Sequence, residues 1–438
     1  MLARLVWMLL GRRRAPGWRQ HLATIERIAC MAPAAFETWQ ADALARHLAW
    51  AVETIPYHQE RVTPGAGLEA FPVLRRADLQ AHLEALRDPA RAPASLRKET
   101  SGGSTGEPVV LYQDDAYWVY DVATEAYVLR SWGLTPWCRS AFLWGSDQDV
   151  QDLPRRERMW MGLLGRLLVN AFRMGETELA QAADDLERHD PEYIQGYASA
   201  LALMAAWLLE HRPDHTIRPA AIRSSAEMLT PETRALVERA FQAKVYDFYG
   251  SRESASIAAE CPAGRLHVQG HGRVVEIVGD DGRPAEPGEP GRLLVTDLTN
   301  RAFGLIRYET GDVSSWAEPT ACPCGCPFPV LEKIHGRTSD FITTPEGERL
   351  HGEWFTHLFY GREGVERFQV YQPTLDRLEV RTVGTATEAD LADLLDAIRE
   401  RVGPSVTVAF DHVGAIATGR SGKHRFTRSD VPFLPESS

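Results

Sequence analysis

The chain has 438 residues, of which 44% are hydrophobic and 25% charged, with a formal net charge of −12. That length holds two or three domains with full-sized cores. The acidic balance excludes a broad basic surface tracking nucleic-acid phosphates, and the composition is that of an ordinary soluble globular protein.

In chain order, the opening MLARLVWMLLGRRRAPG sets a short apolar run before an arginine cluster. This reverses the order of a secretory signal and is too short to span a bilayer, so a cytoplasmic protein without an integral membrane segment is expected. The run reads as a helix packed on the body or a partner, ahead of a surface membrane contact. From Leu44 through Leu48, Val52 and Ile55 the apolar residues recur at helical spacing until Pro56 stops them. The middle of the chain alternates strand-like runs, AFLWG around Phe142 and KVYDFYG ending at Gly250, with helical segments, which favours α/β layering. From about Glu276, VVEIV, DDGRPAEPGEPG and RLLVTDL predict β hairpins. After His335-Gly336-Arg337 the pattern becomes strand, strand, helix, strand. That helix is expected to start near Thr387 with Asp390 as its capping-box partner, to bury Leu391, Leu394, Leu395, Ile398 and Val402, and to end at Gly403. The expectation is an α/β protein with a large N-terminal domain over residues 1–337 and a small α+β C-terminal domain over residues 338–438.

Several short segments carry chemistry. ETSGGSTGEP, with three glycines and four hydroxyls, suits wrapping of a polyphosphate, although it lacks the Walker pattern and such a segment by itself is equally a linker. In YDFYGSRES an aromatic residue, Tyr249, precedes a glycine turn and Glu253; the ring suits stacking on a purine and the carboxylate suits Mg²⁺. The same pattern fits a strand ending in an ordinary turn. In RYETGD, Asp312 follows a Thr-Gly turn and suits a ribose diol.

Taken in order, TSGGSTGEP, SSAEML, YGSRE, YETGD, GRTSD and the terminal GRSGK resemble the core motifs of the adenylate-forming superfamily. AVETIPYHQERV, FPVLRRADLQ and TDLTNRAFGLIRYETGD place the resemblance in the branch of phenylacetate-CoA ligase and capsular polysaccharide biosynthesis-type ligases, from about Leu44 to Arg425. The resemblance implies an adenylation domain that binds ATP and acid, followed by a mobile domain on a hinge at Asp340. It implies that Ser101, Gly102, Gly103, Ser104, Thr105 and Gly106 contact the ATP phosphates and that Ser225, Ala226 and Glu227 lie along the adenine. Tyr249 would stack on that base, beside Gly250 and Ser251; Glu253 would bind Mg²⁺, Asp312 the ribose, and Arg337 the ribose or α-phosphate. Lys423 would bridge the acyl carboxylate and the α-phosphate. Two departures stand out: Glu107 where the superfamily often has lysine, and Ser339 in place of an acidic residue beside the hinge.

The implied activity is ATP-dependent formation of acyl-AMP with pyrophosphate release, then acyl transfer to coenzyme A. An amine acceptor, giving an amide, and a non-catalytic nucleotide-binding relative are the competing expectations. The acid pocket is expected around Phe142 to Gly145, Gly196-Tyr197 and Tyr249, with neighbouring aromatic residues hinting at an aromatic acid.

Of six cysteines, four cluster: Cys261 in ECPAGRLH, and Cys322, Cys324 and Cys326 in CPCGC. Three thiolates and an imidazole suit structural Zn²⁺, and the C…H plus C-x-C-G pattern of some related ligases favours Cys261, His267, Cys322 and Cys324. Cys326 and His271 are the alternatives, and reduced cysteines in a turn the simpler reading.

Overall fold

A computed structural model of the chain describes residues 15–100, 109–144, 155–171, 174–279, 281–319, 321–337, 341–346, 349–359, 362–416 and 426–431. The N-terminal apolar run, residues 1–14, lies outside them. Helices α1 (Trp18–Ala29) and α2 (Pro33–Thr54) open the described chain. Ile55 closes α2 in an extended conformation (φ −94°, ψ 112°), as a residue before proline prefers. Pro56 then occupies the first position of a short helix to Gln59, so it starts an element as well as stopping one.

Strands β1 (Arg97–Thr100) and β2 (Val110–Gln113) pair antiparallel, Thr100 opposite Val110. Helix α3 (Asp115–Ser131) follows, and its N-cap Asp114 accepts a hydrogen bond from the Tyr117 amide. Next come β3 (Ser140–Leu143), α4 (Arg155–Leu163), β4 (Arg166–Val169), α5 (Glu176–His189), β5 (Tyr193–Tyr197), α6 (Ala198–His211), β6 (Ala221–Ser225), α7 (Pro231–Phe241) and β7 (Val245–Ser251). These strands are mutually parallel. From β7 the chain turns back antiparallel through β8 (Ala255–Glu260), β9 (Leu266–Val268), β10 (Arg273–Val278), β11 (Gly291–Asp297), β12 (Tyr308–Trp316) and β13 (Val330–Arg337). All join one sheet in the order β10-β11-β12-β13-β9-β8-β7-β6-β5-β3-β4.

Side chains alternate across the parallel strands. Leu143, Ile194, Ile222 and Val245 pack against Leu186, Leu201, Met204 and Phe241 of α5, α6 and α7. On the opposite face Tyr193, Tyr246 and Phe248 meet Val128 of α3 and Trp132. Both faces are therefore covered, as a parallel sheet requires.

After Arg337 the chain forms a small hairpin, β14 (Phe341–Thr343) with β15 (Arg349–His351), then α8 (Gly352–Phe359). A second sheet, β18-β17-β16-β19, is built from β16 (Val365–Thr374), β17 (Arg377–Gly384), β18 (Thr407–His412) and β19 (Thr427–Ser429), with α9 (Ala392–Val402) packed on it. Ile342, Phe355, Val370, Leu378, Leu394 and Ile398 form its own core. The sequence pattern is corrected here in two places. The hairpin and α8 precede the expected strands, and α9 starts at Ala392 rather than near Thr387. Thr387 and Asp390 do exchange capping bonds, the Thr387 amide to Asp390 Oδ2 at 2.9 Å, but around a turn over residues 388–391 that leads directly into α9. The predicted apolar face is buried and Gly403 (φ +89°) ends the helix. No helix among the described residues is long and apolar enough to cross a membrane.

Candidate functional site

Parallel strands β5 and β6 end side by side at Tyr197 and Ser225, level with Phe248 of β7, which runs on to Ser251, and ligands of open α/β sheets gather at such carboxyl ends. Ser225 is buried and Ala226 adopts a left-handed conformation, φ +68°. Glu227 accepts a hydrogen bond from the Ser199 amide in the first turn of α6 at 2.8 Å, so in this structure it caps a helix.

The turn from β7 to β8 is tightly specified. A Cβ on Gly250 would meet the Ala255 carbonyl oxygen at 2.5 Å, so only glycine fits. Ala255 holds φ +45°, and the Ser251 hydroxyl accepts from the Ser254 amide at 3.1 Å, shaping the turn. Glu253 is buried within it. Arg252 donates to the Thr100 carbonyl at 2.8 Å, and the Arg252 carbonyl accepts from Gln113 at 3.4 Å. The Glu253 turn is thereby fastened to both strands of the β1–β2 hairpin, whose connection is the Gly/Ser/Thr loop. The loop itself, Ser101 through Gly106 with Glu107, lies outside the described residues, as do Gly145, Ser339, the hinge candidate Asp340 and Lys423.

Tyr249 and Asp312 stand on strands separated by β8, β9 and β13 in sheet order, yet the Tyr249 hydroxyl donates to Asp312 Oδ2 at 2.6 Å. The sheet curls to bring them together. Arg337, paired with Asp312 in the β12–β13 register, sets its Nε 3.7 Å from Asp312 Oδ1. Thr310 completes the group: its hydroxyl accepts from the Asp312 amide at 3.2 Å, donates to the Leu293 carbonyl at 3.2 Å and lies 3.2 Å from the Tyr249 hydroxyl. Gly311 at φ +80° makes this turn inside β12. Burial and then the Asp312 carboxylate raise the Tyr249 phenol well above its ordinary range, so it stays a donor. Buried Tyr308 is raised likewise, first by burial, then by the charges of Glu253 and, less, Asp312. Tyr249, Thr310, Asp312 and Arg337 thus meet at one place, and Glu253 is buried in the turn that follows β7. Sequence reading missed Thr310, although the ETGD turn contained it.

Under β6 lies a polar group that the motifs did not flag. Arg223 bonds Glu125 at 2.6 Å, and Glu125 accepts from Ser256 at 2.9 Å. Burial and then Glu125 raise the Asp121 carboxyl. At the strand ends Trp144 stacks on Tyr197 with ring centroids 4.2 Å apart.

The thiol cluster is assembled by tertiary pairing: β9 lies against β13, which draws the Cys261–His267 segment onto the loop preceding Val330. Ligand atoms of Cys261, His267, Cys322 and Cys324 lie within 4.8 Å of one another. Cys261 Sγ is 3.6 Å from Cys322 Sγ, and Cys324 Sγ is 3.4 Å from His267 Nε2. Thiolates about 2.3 Å from a tetrahedral metal stand about 3.8 Å apart, so the spacing fits. His267 Nδ1 lies 3.0 Å from the Phe328 carbonyl, which holds the proton there and leaves Nε2 as the lone-pair donor. Both turns read Cys-Pro-x-Gly: the amides of Gly264 and Gly325 return to the carbonyls of Cys261 and Cys322 at 2.9 and 3.1 Å. That repeated tetrapeptide was a sequence signal for two matching ligand turns. The alternatives are engaged elsewhere, Cys326 with the Tyr127 hydroxyl and His271 with Tyr120 and Gln269. A cavity of about 380 Å³, lined by Cys30, Tyr127, Cys324 and Cys326 among others, opens beside this cluster and away from Asp312.

Comparison with known proteins bears on both regions. Residues 342–430 match the family described as the CapK C-terminal domain. The chain is 23% identical over 373 residues to Protein CapK of Staphylococcus aureus, covering 84% of this chain and 81% of that protein. It is 25% identical over 293 residues to phenylacetate-coenzyme A ligase of Escherichia coli (strain K12), covering 63% and 62%. Among solved structures, 2-hydroxyisobutyryl-CoA ligase in the postadenylation state, in complex with R3-HIB-AMP, superposes with TM-score 0.70 at 18% identity over 92% of each chain.

Proposed function

We propose, from the premise that this chain is homologous to CapK and the phenylacetate-CoA ligases and has the fold of the adenylate-forming acyl-CoA ligases, that it activates a carboxylic acid as acyl-AMP. A carboxylate oxygen attacks the α-phosphorus of ATP, the bond to the diphosphate breaks, and pyrophosphate leaves. The sulfur of coenzyme A then attacks the acyl carbon, AMP departs and the thiol proton goes to solvent. The observation that carries the reading is the convergence of Tyr249, Asp312 and Arg337 beside a buried Glu253 turn tied to Thr100.

In this reading the ribose hydroxyls donate to Asp312. Its two oxygens have four lone-pair sites, so Tyr249 leaves room for a diol. Tyr249 and Thr310 hold the carboxylate, Arg337 faces the ribose or α-phosphate, and Glu253 would hold Mg²⁺, which would supply positive charge against the phosphates. Gly250, Ser251, Ser225 and Ala226 shape the adenine wall, and Glu227 steadies it through α6. The loop of Ser101, Gly102, Gly103, Ser104, Thr105 and Gly106 covers the phosphates. Lys423 approaches from the domain of residues 338–438, which turns about Asp340. The test is acid-dependent pyrophosphate release, screened over aromatic, fatty and amino acids with and without coenzyme A. Release that no acid stimulates would reject the reading; release turned over by amines and not by coenzyme A would reassign the acceptor.

Asp312→Ala removes both ribose acceptors and strands the Tyr249 hydroxyl. The expected result is a KM for ATP raised about 10- to 100-fold, equivalent to about 1.5–3 kcal/mol for a hydrogen bond to a charged group, with the KM for the acid little changed. Steady-state kinetics in both substrates read this directly.

Zn²⁺ held by Cys261, His267, Cys322 and Cys324 is part of the proposal. Four protein ligands leave no open position, so the metal clamps two loops. Purified protein is expected to contain about one zinc per chain. Cys322→Ser should lose it and unfold at lower urea, while Cys326→Ser should keep it. Less than about half an equivalent, unaffected by refolding with metal, removes the zinc assignment.

A further inference from the structure

A second cavity, of about 270 Å³, lies between α1, α2, α3 and the loop after β11. Arg46, Arg301, His21, Trp39, Tyr120 and Thr299 are among its walls. It is remote from the ribose candidate: the Leu298–Arg301 loop leaves the far end of β11, whereas the Thr310–Asp312 turn faces Arg292–Leu294. About six residues of strand, roughly 20 Å at 3.4 Å per residue, separate them.

The chain carries a net charge of −12, yet two arginines, the exposed Arg46 and the partly buried Arg301, share this cavity. Other arginines among the described residues meet carboxylates, as Arg223 meets Glu125 and Arg273 meets Asp297. Among the described residues neither Arg46 nor Arg301 has a carboxylate or hydrogen-bond partner. Arg301 is instead held over the Trp50 ring, 4.8 Å from its centroid. Asp114, the acid whose charge it feels, is committed to Arg91 at 2.9 Å. Arg46 and Arg301 line the one cavity, and burial and then the Arg46 charge lower the Arg301 pKa. The imidazoles add no charge near neutral pH, since burial lowers His21 and holds His271 down to about 3.

We propose that this cavity binds a phosphate monoester on an organic body. A dianion relieves the repulsion between the guanidiniums and matches their forked donors. A water occupies about 30 Å³ of liquid, so the cavity exceeds a bare ion and leaves its Trp39 and Tyr120 walls for the attached body. The anion site stands on its own geometry, and naming coenzyme A as the ester rests on the proposed function. The ribose 3′-phosphate of coenzyme A carries this chemistry, and free inorganic phosphate is the bare anion that the test sets against it.

Calorimetry at saturating AMP, which occupies any nucleotide site, tests it with coenzyme A, dephospho-coenzyme A and inorganic phosphate. Wild type is compared with the Arg46→Gln/Arg301→Gln and Arg46→Lys/Arg301→Lys variants. The expected result is binding that falls at least 10-fold in the glutamine variant and less in the lysine variant, with acid-dependent pyrophosphate release unchanged. Coenzyme A binding at least 10-fold tighter than its dephospho form supports the site and names the ester. Inorganic phosphate binding as tightly as coenzyme A, with the same loss on Arg→Gln, overturns the ester assignment in favour of a simple anion site. Equal binding by wild type and the glutamine variant for all three ligands overturns the site altogether.

Discussion

Lys423→Ala is expected to slow acid-dependent pyrophosphate release by about 10²- to 10³-fold, the loss typical of removing one preorganised group aimed at developing charge. Adenylation drives a carboxylate against a triphosphate, so two anions meet, and a fixed cation opposes their repulsion as the new bond forms. The second step brings a sulfur nucleophile to a neutral acyl carbon. Acyl transfer from supplied acyl-AMP to coenzyme A should therefore change little in the same variant. That split between half-reactions is the decisive measurement. If both steps fall together, Lys423 supports the fold or the shared nucleotide site; if neither falls, the terminal SGK plays no part in the chemistry.

Asp297→Ala is expected to cost about 3–5 kcal/mol of stability, read as a lower urea midpoint, because it strands a buried cation. Arg273 and Asp297 are 4% and 0% exposed and meet at 3.0 Å. Asp297 also accepts from the Thr299 amide and hydroxyl at 2.8 and 2.6 Å, shaping the loop that carries Arg301. The double variant Arg273→Met/Asp297→Leu removes both charges and should cost less than Asp297→Ala alone, since no unpaired ion remains. A double variant as unstable as the sum of two singles would show the packing, rather than the charge, to matter.

The helical N-terminal region and the apolar face of α9 were legible because hydrophobic periodicity reports burial locally. The hairpin from β10 to β11 was legible because turn residues report a chain reversal. The start of α9 was placed one turn early, because the Thr387–Asp390 box caps a turn over residues 388–391 and the α-helix begins only after it, at Ala392. β14, β15 and α8 escaped notice because three-residue strands and an eight-residue helix give too little periodicity to register. Arg223, Glu125 and Asp121 were invisible as a group, since no motif links a helix to a strand about a hundred residues away.

The sequence alone determined the order of the ligand-like motifs, the glycine turns after Tyr249 and before Asp312, and the four zinc-ligand candidates, because turn chemistry and donor identity are local properties. Only the tertiary structure decided that Tyr249 reaches Asp312 across three intervening strands, that β9 against β13 selects His267 over His271, and that two arginines far apart in sequence share a cavity. The reason is physical: register and sheet curvature follow from burying apolar faces over the whole chain. No residue and its near neighbours carry that information.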